Sequence, residues 1–208
     1  MRLLTVPVLA AALLLAACGT SSSGPGSTGT PTVPTMAPPG AGIPPAAGRV
    51  TGVGMVIEGP GTPPEVCLGP VRESWPPQCD GIALSGWDWA QHPPEQETDP
   101  EGPPTRWGSF AVAGTFDGMT LTVTDAVPLA LYDTMAEPTP TPPTPPDLTD
   151  DEWAAVLAGA AAAPGMLGVD RGESGPVHLS VVHDDGTIQA WADASFGAGA
   201  VLVSSALR

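Results

Sequence analysis

The sequence has 208 residues and a formal net charge of −16, because 22 acidic side chains stand against 6 basic ones, all of them arginine. This balance leaves no basic patch and excludes charge-driven binding to nucleic acid, phosphate groups or anionic head groups. The 28 prolines and 26 glycines are concentrated in a few stretches. The part of the chain that can fold is therefore considerably shorter than 208 residues.

The first eighteen residues have the pattern of an export signal followed by a site of lipid attachment. A short positive start precedes an apolar run over residues 3–17, which has the length of a signal-peptide core and is too short for a permanent membrane span. The run ends in Leu15-Ala16-Ala17-Cys18, which resembles the bacterial lipobox. The resemblance implies removal of residues 1–17, lipidation of Cys18 and anchoring at the extracytoplasmic face of the cell membrane. An ordinary secretory signal, which exports the protein without a tether, is the alternative.

Two stretches are too rich in glycine, serine, threonine and proline to bury a core. Residues 18–48 have almost no charge and no apolar periodicity, which predicts a disordered tether with an r.m.s. reach of about 30 Å. Residues 137–147, EPTPTPPTPPD, favour extended polyproline II and are predicted to be a linker. We expect the parts on either side, 49–136 and 148–208, to pack together with the linker looping outside, because the smaller part is marginal alone.

The first part, residues 49–136, is predicted to be a small all-β barrel. Segments such as RVTGVGMVIEG and GIALSGWDW precede the clearest hairpin of the chain, RWGSFAVAGTFDGMTLTVTDAV. Apolar side chains recur there at period two, which predicts one buried face made of Phe110, Val112, Leu121 and Val123. Asp117-Gly118 predicts a type I′ turn. Four or five short strands in about 85 residues suit a small barrel, and an OB-like topology is the one we suggest.

The second part, residues 148–208, is predicted to be a small αββαβ two-layer sandwich, which makes the whole chain α+β. DLTDDEW has the pattern of a capping box, in which Thr149 and Glu152 each bond the backbone amide of the other. The helix that follows is expected to bury Trp153, Val156, Leu157 and Ala160. A second helix is expected to bury Ile188, Trp191, Ala192 and Ser195 and to end at Gly197.

Two cysteines remain once Cys18 carries a lipid. Outside the membrane, Cys67 and Cys79 are predicted to form a disulfide, which would stabilise the fold by about 3 kcal/mol in the chain-entropy model. A redox pair or a metal site is the alternative. The segment VCLGPVRESWPPQC has neither the Cys-x-x-Cys spacing of the first nor the four ligands of a zinc site.

The remaining reactive side chains form no recognisable catalytic or metal motif. The five-residue spacing of His178 and His183 points them to opposite faces of a strand, and we predict no metal ligands and no cofactor. The serine in RGESGP is not in a nucleophile elbow, because Ser174 has no glycine two residues before it. The chain also lacks a Walker loop, a dinucleotide fingerprint and a His-Glu-x-x-His motif.

Carboxylates alternate along the segment HPPEQETDPEG, at Glu95, Glu97, Asp99 and Glu101. Alternating carboxylates can wrap calcium, but the EF-hand pattern requires a glycine where Pro100 stands and a distal glutamate that is missing. We interpret the segment as a solvated acidic loop.

Four tryptophans fall in one third of the chain: Trp75, Trp87, Trp89 and Trp107. They are either ordinary core residues or part of a binding surface. Trp87-Asp88-Trp89 on a strand would direct both rings to one face and form a stacking platform. Together with the neighbouring carboxylates, such a platform would accept a neutral glycan or a cationic ligand and repel anionic polymers.

The segments CLGPVRESWPPQCDGIALSGWDW, GTFDG and SALR resemble uncharacterised secreted proteins and lipoproteins of actinobacteria. The resemblance implies a location in the cell envelope and no activity. Two functions stay open, a non-enzymatic lipoprotein that binds a ligand or partner, and a hydrolase acting on wall or carbohydrate material. Two carboxyl groups about 5–9 Å apart across a groove would favour the hydrolase.

Overall fold

The computed structural model describes residues 37–40, 42–98, 102–133, 143–172 and 174–208. Within these ranges the chain is a mixed α+β protein, mostly sheet, with two α-helices. The described residues belong to a single compact unit, Pro31–Arg208. The signal peptide predicted over residues 1–17, the lipidation site Cys18 and most of the predicted tether lie outside the described residues.

The first sheet has six strands in the order β1-β2-β3-β6-β5-β4, and β1 also pairs with β5. Its strands are β1 Arg49–Glu58, β2 Glu65–Cys67, β3 Ile82–Ser85, β4 Gln96–Glu97, β5 Arg106–Phe116 and β6 Thr120–Pro128. Every pair is antiparallel except β3 with β6, which is parallel. The pairings that lead from β1 through β2, β3, β6 and β5 therefore return to β1.

Strand β5 buries both of its faces. Its even-numbered residues Phe110 and Val112 contribute to the main core of the first sheet, together with Leu121 and, at its edge, Val123. The predicted buried face of this hairpin is confirmed, but Ala111 and Ala113 on the other face of β5 are buried as well. The opposite face of β5 carries Trp107, which packs with Ile57 and the disulfide in a smaller cluster.

The turn between β5 and β6 lies one residue later than expected. The Asp117 amide donates to the Thr120 carbonyl at 3.3 Å, so that Gly118 and Met119 are the two central residues. Gly118 has a φ of 100°, a value that glycine adopts without strain. The Asp117 carboxylate also accepts from the amides of Met119 and Thr120, so side-chain bonds reinforce the backbone bond that closes the turn.

The second sheet and its two helices follow in the predicted order αββαβ. The elements are α1 Asp150–Ala160, β7 Met166–Arg171, β8 Val177–Val181, α2 Thr187–Phe196 and β9 Val201–Ser205. The strand order is β7-β8-β9, with β7–β8 antiparallel and β8–β9 parallel. One buried cluster joins the helices to the sheet; it includes Trp153, Val156, Leu179, Ile188, Trp191 and Val201.

The start of α1 and the end of α2 follow the predicted residue patterns. The capping box of α1 is present: Thr149 Oγ1 accepts from the Glu152 amide, and the Glu152 carboxylate accepts from the Thr149 amide. The four positions predicted to face the core from α2 are all buried. Gly197 ends that helix with a φ of 91°.

The two sheets pack against each other through the C-terminal residues. The amide of Thr51 on β1 donates to the Arg208 carbonyl at 2.7 Å, and the Arg208 amide donates back to Thr51 at 3.1 Å. Leu207 and Val182 are buried in the main core of the first sheet. Packing of the two parts against each other, as expected from their sizes, is therefore what the described residues show.

The end of the predicted tether is folded rather than disordered. Ile43 packs against the main core of the first sheet, the Ala46 amide donates to Phe116 at 2.9 Å, and His183 Nδ1 lies 2.9 Å from the Pro44 carbonyl. The boundary predicted at residue 48 is thus several residues too late, because Ile43 and its neighbours supply apolar contacts that composition alone does not reveal.

The end of the predicted linker is also packed. Pro145 and Pro146 are half-buried, and Pro143 lies so close to Gly199 that a Cβ there would be 3.1 Å from its ring. The remaining linker residues, 137–142, lie outside the described ranges. In the described part of the chain, both helices fall short of the length and hydropathy that a membrane-spanning helix requires.

Candidate functional site

Three charged residues stand opposite one another on adjacent strands of the first sheet. Arg106 on β5 is in register with Glu58 on β1 and with Glu97 on β4. Directly opposed residues in antiparallel strands carry their side chains on the same face. Arg106 Nε lies 3.4 Å from Glu97 Oε2, with both side chains about half exposed. We call Glu58, Arg106 and Glu97 the charge row.

Trp89 is hydrogen-bonded to Glu58, at one end of the charge row. Its indole N–H donates to Glu58 Oε2. Beside it lies an open cavity of about 560 Å³, within the range typical of small-ligand sites. We call it the Trp89 cleft; its lining residues are Trp89, Ala90, Pro94, Glu95, Gln96, Glu97 and Arg106.

The turn that carries Trp89 is organised by Asp88. Its backbone carbonyl accepts from the His92 amide at 3.0 Å, and its carboxylate accepts from the Gln91 side chain and the Ala90 amide at 2.9 and 2.8 Å. The hydrogen bond from Gln91, followed by that from Ala90, lowers the pKa of Asp88 below its ordinary value. The ionised carboxylate therefore holds the turn in which Trp89 sits.

Gly108 allows the loop before β4 to approach β5 closely. The Glu95 amide donates to the Trp107 carbonyl at 3.0 Å. A Cβ on Gly108 would lie 2.8 Å from the Phe110 ring, 3.1 Å from the Glu95 backbone nitrogen and 3.3 Å from its Cγ. Glycine at this position is thus required for Glu95 to line the cleft beside the buried Phe110 ring.

Trp87 contacts Trp89 but does not line the cleft. The two ring centroids are 5.2 Å apart at an interplanar angle of 80°, an edge-to-face contact. Trp87 also packs on Phe110 and His92, at centroid distances of 5.0 and 4.9 Å. Its indole nitrogen is buried and has no hydrogen-bond partner among the described residues. Trp87 therefore acts as an apolar support for the cleft.

The four tryptophans do not form one platform. Trp87 and Trp89 lie on the loop after β3, not on a strand, because β3 ends at Ser85 and Gly86 follows with a φ of 79°. Trp107, only 4% exposed, is a core residue on the other face of β5 from Phe110. Trp75, 71% exposed, packs edge-on against Trp107 at 4.9 Å. The expected platform is thus two separate pairs, of which only Trp89 lines the cleft.

The predicted disulfide between Cys67 and Cys79 is confirmed, with their Cα atoms 5.8 Å apart. It closes the loop that carries Trp75. A salt bridge of 2.9 Å from Arg72 to Asp80 and a backbone bridge from Arg72 to Gln78 fix the same loop. Three constraints of different kinds thus hold Trp75 in place.

The histidines and carboxylates of the described ranges form no group of three or more that could hold a metal ion. His178 is exposed on β8, His183 is buried beyond its end, and His92 packs against Trp87. Asp99 and Glu101, the other half of the predicted acidic loop, lie outside the described residues. Glu95 and Glu97 are exposed and line the Trp89 cleft.

Glu58 is the site residue that sequence reasoning did not find. It lies 31 residues from Trp89 along the chain, and only the register of β1 with β5 places it beside Arg106. A carboxylate closing the apolar strand GMVIE was the only sequence signal for it. The fold and site define a mixed α+β protein with a small aromatic and charged cleft. Comparison of the chain with protein-family models, curated proteins and solved structures found no match.

Proposed function

We propose that this chain is a lipid-anchored lipoprotein of the cell envelope that binds a small ligand in the Trp89 cleft and performs no chemistry on it. The lipobox-like Leu15-Ala16-Ala17-Cys18 supports the anchor. The Cys67–Cys79 disulfide supports an oxidising location outside the cytoplasm. The observation that carries ligand binding is the cavity bordered by Trp89 and by an ion pair of opposite charges.

We also propose that the first sheet is a closed barrel of the OB type. The return of the strand pairings to β1 and the parallel pairing of β3 with β6 support this topology. OB-type barrels bind oligosaccharides and oligonucleotides on one face. The charge of −16 disfavours the second class of ligand.

Binding without catalysis is favoured by the sequence. It lacks a nucleophile elbow, a Walker loop, a dinucleotide fingerprint and a His-Glu-x-x-His motif.

The anchor is tested by replacing the cysteine that would carry it. Cys18→Ser should move the protein from the membrane fraction to the soluble fraction, because two acyl chains are needed for stable attachment. Cys67→Ser is the matched control, since it replaces another cysteine by serine and should leave the protein with the membranes. Sedimentation of the Cys18→Ser protein with membranes would refute the anchor.

A further inference from the structure

We infer that the Trp89 cleft takes a neutral saccharide, with one sugar ring lying on the indole of Trp89. This rests on the proposed function, from which it takes only the statement that a small ligand binds in this cleft. The proposed function points to oligosaccharides only through the proposed OB-type topology, whereas the charges and hydrogen bonds around the cleft select independently among glycans, cations and anions.

The first argument is that Trp89 offers its ring and not its polar edge. The indole N–H already donates to Glu58, and the edge-to-face contact with Trp87 fixes the ring plane. An aromatic face carries negative charge density and attracts the polarised C–H bonds on one face of a sugar ring. A ring fixed in advance loses little conformational entropy when a ligand stacks on it.

The second argument is that the side chains lining the cleft place hydrogen-bond donors next to hydrogen-bond acceptors. A sugar hydroxyl both donates and accepts. The Arg106 guanidinium supplies donors, the Glu97 and Glu95 carboxylates supply acceptors, and the Gln96 amide supplies both. Arg106 Nε lies 3.4 Å from Glu97 Oε2, so a single hydroxyl to one side of this pair could accept from the guanidinium and donate to the carboxylate.

The third argument is that the charges disfavour both kinds of ion. Arg106 stands between Glu58 and Glu97 in the charge row, where its guanidinium occupies the position that a cationic ligand would use. An anion in the cleft meets two carboxylates, Glu95 and Glu97, against the one guanidinium of Arg106. A neutral polyhydroxyl ligand is the class that neither sign of charge repels.

The experiment is a titration of the intact protein, solubilised in detergent, with a panel of neutral saccharides of one to six units built from glucose, galactose, mannose or N-acetylglucosamine. Binding is followed by the ¹H–¹⁵N resonance of the Trp89 indole. At least one saccharide should shift that resonance saturably, and its affinity should not change with salt, because a neutral ligand makes no ion pair to be screened.

Two variants and one control locate the binding. Trp89→Ala should weaken the affinity about tenfold or more, a loss of about 1.4 kcal/mol. The affinity of this variant is measured by titration calorimetry, because the reporter indole is absent from it. Trp75→Ala removes an equally large but distant ring and should leave the affinity unchanged. Arg106→Gln should weaken the binding of a saccharide, because it removes hydrogen-bond donors. It would instead strengthen the binding of a cation, because it removes a like charge. Thermal unfolding of each variant establishes that it is folded.

Three results would overturn the inference. They are a panel in which no saccharide shifts the Trp89 resonance, equal losses from Trp89→Ala and Trp75→Ala, and tighter binding by Arg106→Gln. Tetramethylammonium and inorganic phosphate are titrated in parallel. If tetramethylammonium alone binds through Trp89, the saccharide assignment fails while ligand binding in the cleft stands. If none of the three probes binds, ligand binding in the cleft fails as well.

Discussion

The indole N–H of Trp89 donates to the carboxylate of Glu58, which connects the loop after β3 to the last residue of β1. Glu58 is itself in register with Arg106. The Glu58 carboxylate thus connects Trp89, the aromatic wall of the cleft, to the ion pair of Arg106 and Glu97. The position of Trp89 therefore depends on β1, a strand that does not line the cavity.

Glu58→Ala should release the Trp89 ring. A hydrogen bond to a charged group contributes about 1.5–3 kcal/mol, and we expect the lower end because Glu58 is half-exposed. The Trp89 indole resonance should move towards the position of a solvated N–H. Glu73→Ala, which removes an exposed carboxylate from the disulfide loop, is the control and should leave that resonance unchanged. An unmoved resonance in the Glu58 variant would show that the ring is held by packing alone.

Trp107 and Trp75 are in contact, but their substitutions should differ in cost. Trp107→Ala empties a site that is 4% exposed and should lower the free energy of unfolding by about 3–5 kcal/mol. Trp75→Ala removes a largely exposed ring and should cost about 1 kcal/mol, the value of its edge-to-face contact. Urea unfolding measures both. Equal costs would contradict the assignment of Trp107 to the core and Trp75 to the surface.

Removing the disulfide should destabilise the protein by about 3 kcal/mol, because the bridge restricts the unfolded chain. The variant is Cys67→Ala with Cys79→Ala, compared with the parent in the presence and absence of reductant. Mass mapping of the unreduced parent should recover one linked peptide pair. Recovery of two freely alkylated thiols from the exported protein would reject the bridge.

Acid should loosen the turn that carries Trp89. The bond from Gln91, and then that from Ala90, holds the pKa of Asp88 below 3.8. A lowered pKa gives stability that is complete above the unfolded value and is lost as the pH falls through the folded value. Tryptophan fluorescence should therefore change below about pH 3.8 in the parent, and Asp88→Asn should abolish that change.

The control for Asp88→Asn is Asp117→Asn. The pKa of Asp117 is also lowered, chiefly by the Thr120 amide and then by the Met119 amide, but its turn carries no tryptophan. The acid-dependent fluorescence change should persist in Asp117→Asn. Its persistence in both variants would mean that the signal reports general acid unfolding.

Leu207→Ala should destabilise both sheets together. Leu207 is fully buried in the core of the first sheet although it follows β9 of the second, so the cavity left behind should cost about 2–5 kcal/mol. Hydrogen exchange of β5 and β8 amides should accelerate by similar factors in the variant. Acceleration in β5 alone would show that the two sheets unfold independently.

The elements with strong local patterns were predictable from the sequence. The capping box at Thr149 and Glu152, the buried face of α2 and the disulfide all follow from spacings within one helix or one loop. Each depends on residues close together in the chain, for which geometry leaves few alternatives.

What the sequence did not predict depends on register between distant segments. Glu58 joins the site only because β1 aligns with β5 over ten residue pairs, from Arg49 with Thr115 to Glu58 with Arg106. The separation of Trp107 from the other cleft aromatics could be predicted in part from the sequence. Trp107 and Phe110 are three positions apart, and a strand places such residues on opposite faces. The packing of Ile43 was not visible, because one apolar residue in a proline-rich stretch carries no periodicity.

The position of Ile43 bears on how the folded part would respond to tension. A Cβ on Gly118, in the hairpin turn of the first sheet, would lie 2.7 Å from the Ile43 carbonyl, and one on Gly165, just before the second sheet, would lie 2.8 Å from its side chain. A pulling force applied to the chain before Ile43 would therefore load both sheets through one residue. Under such a load neither sheet would be peeled away first, and resistance to extension would come from the two cores acting in parallel.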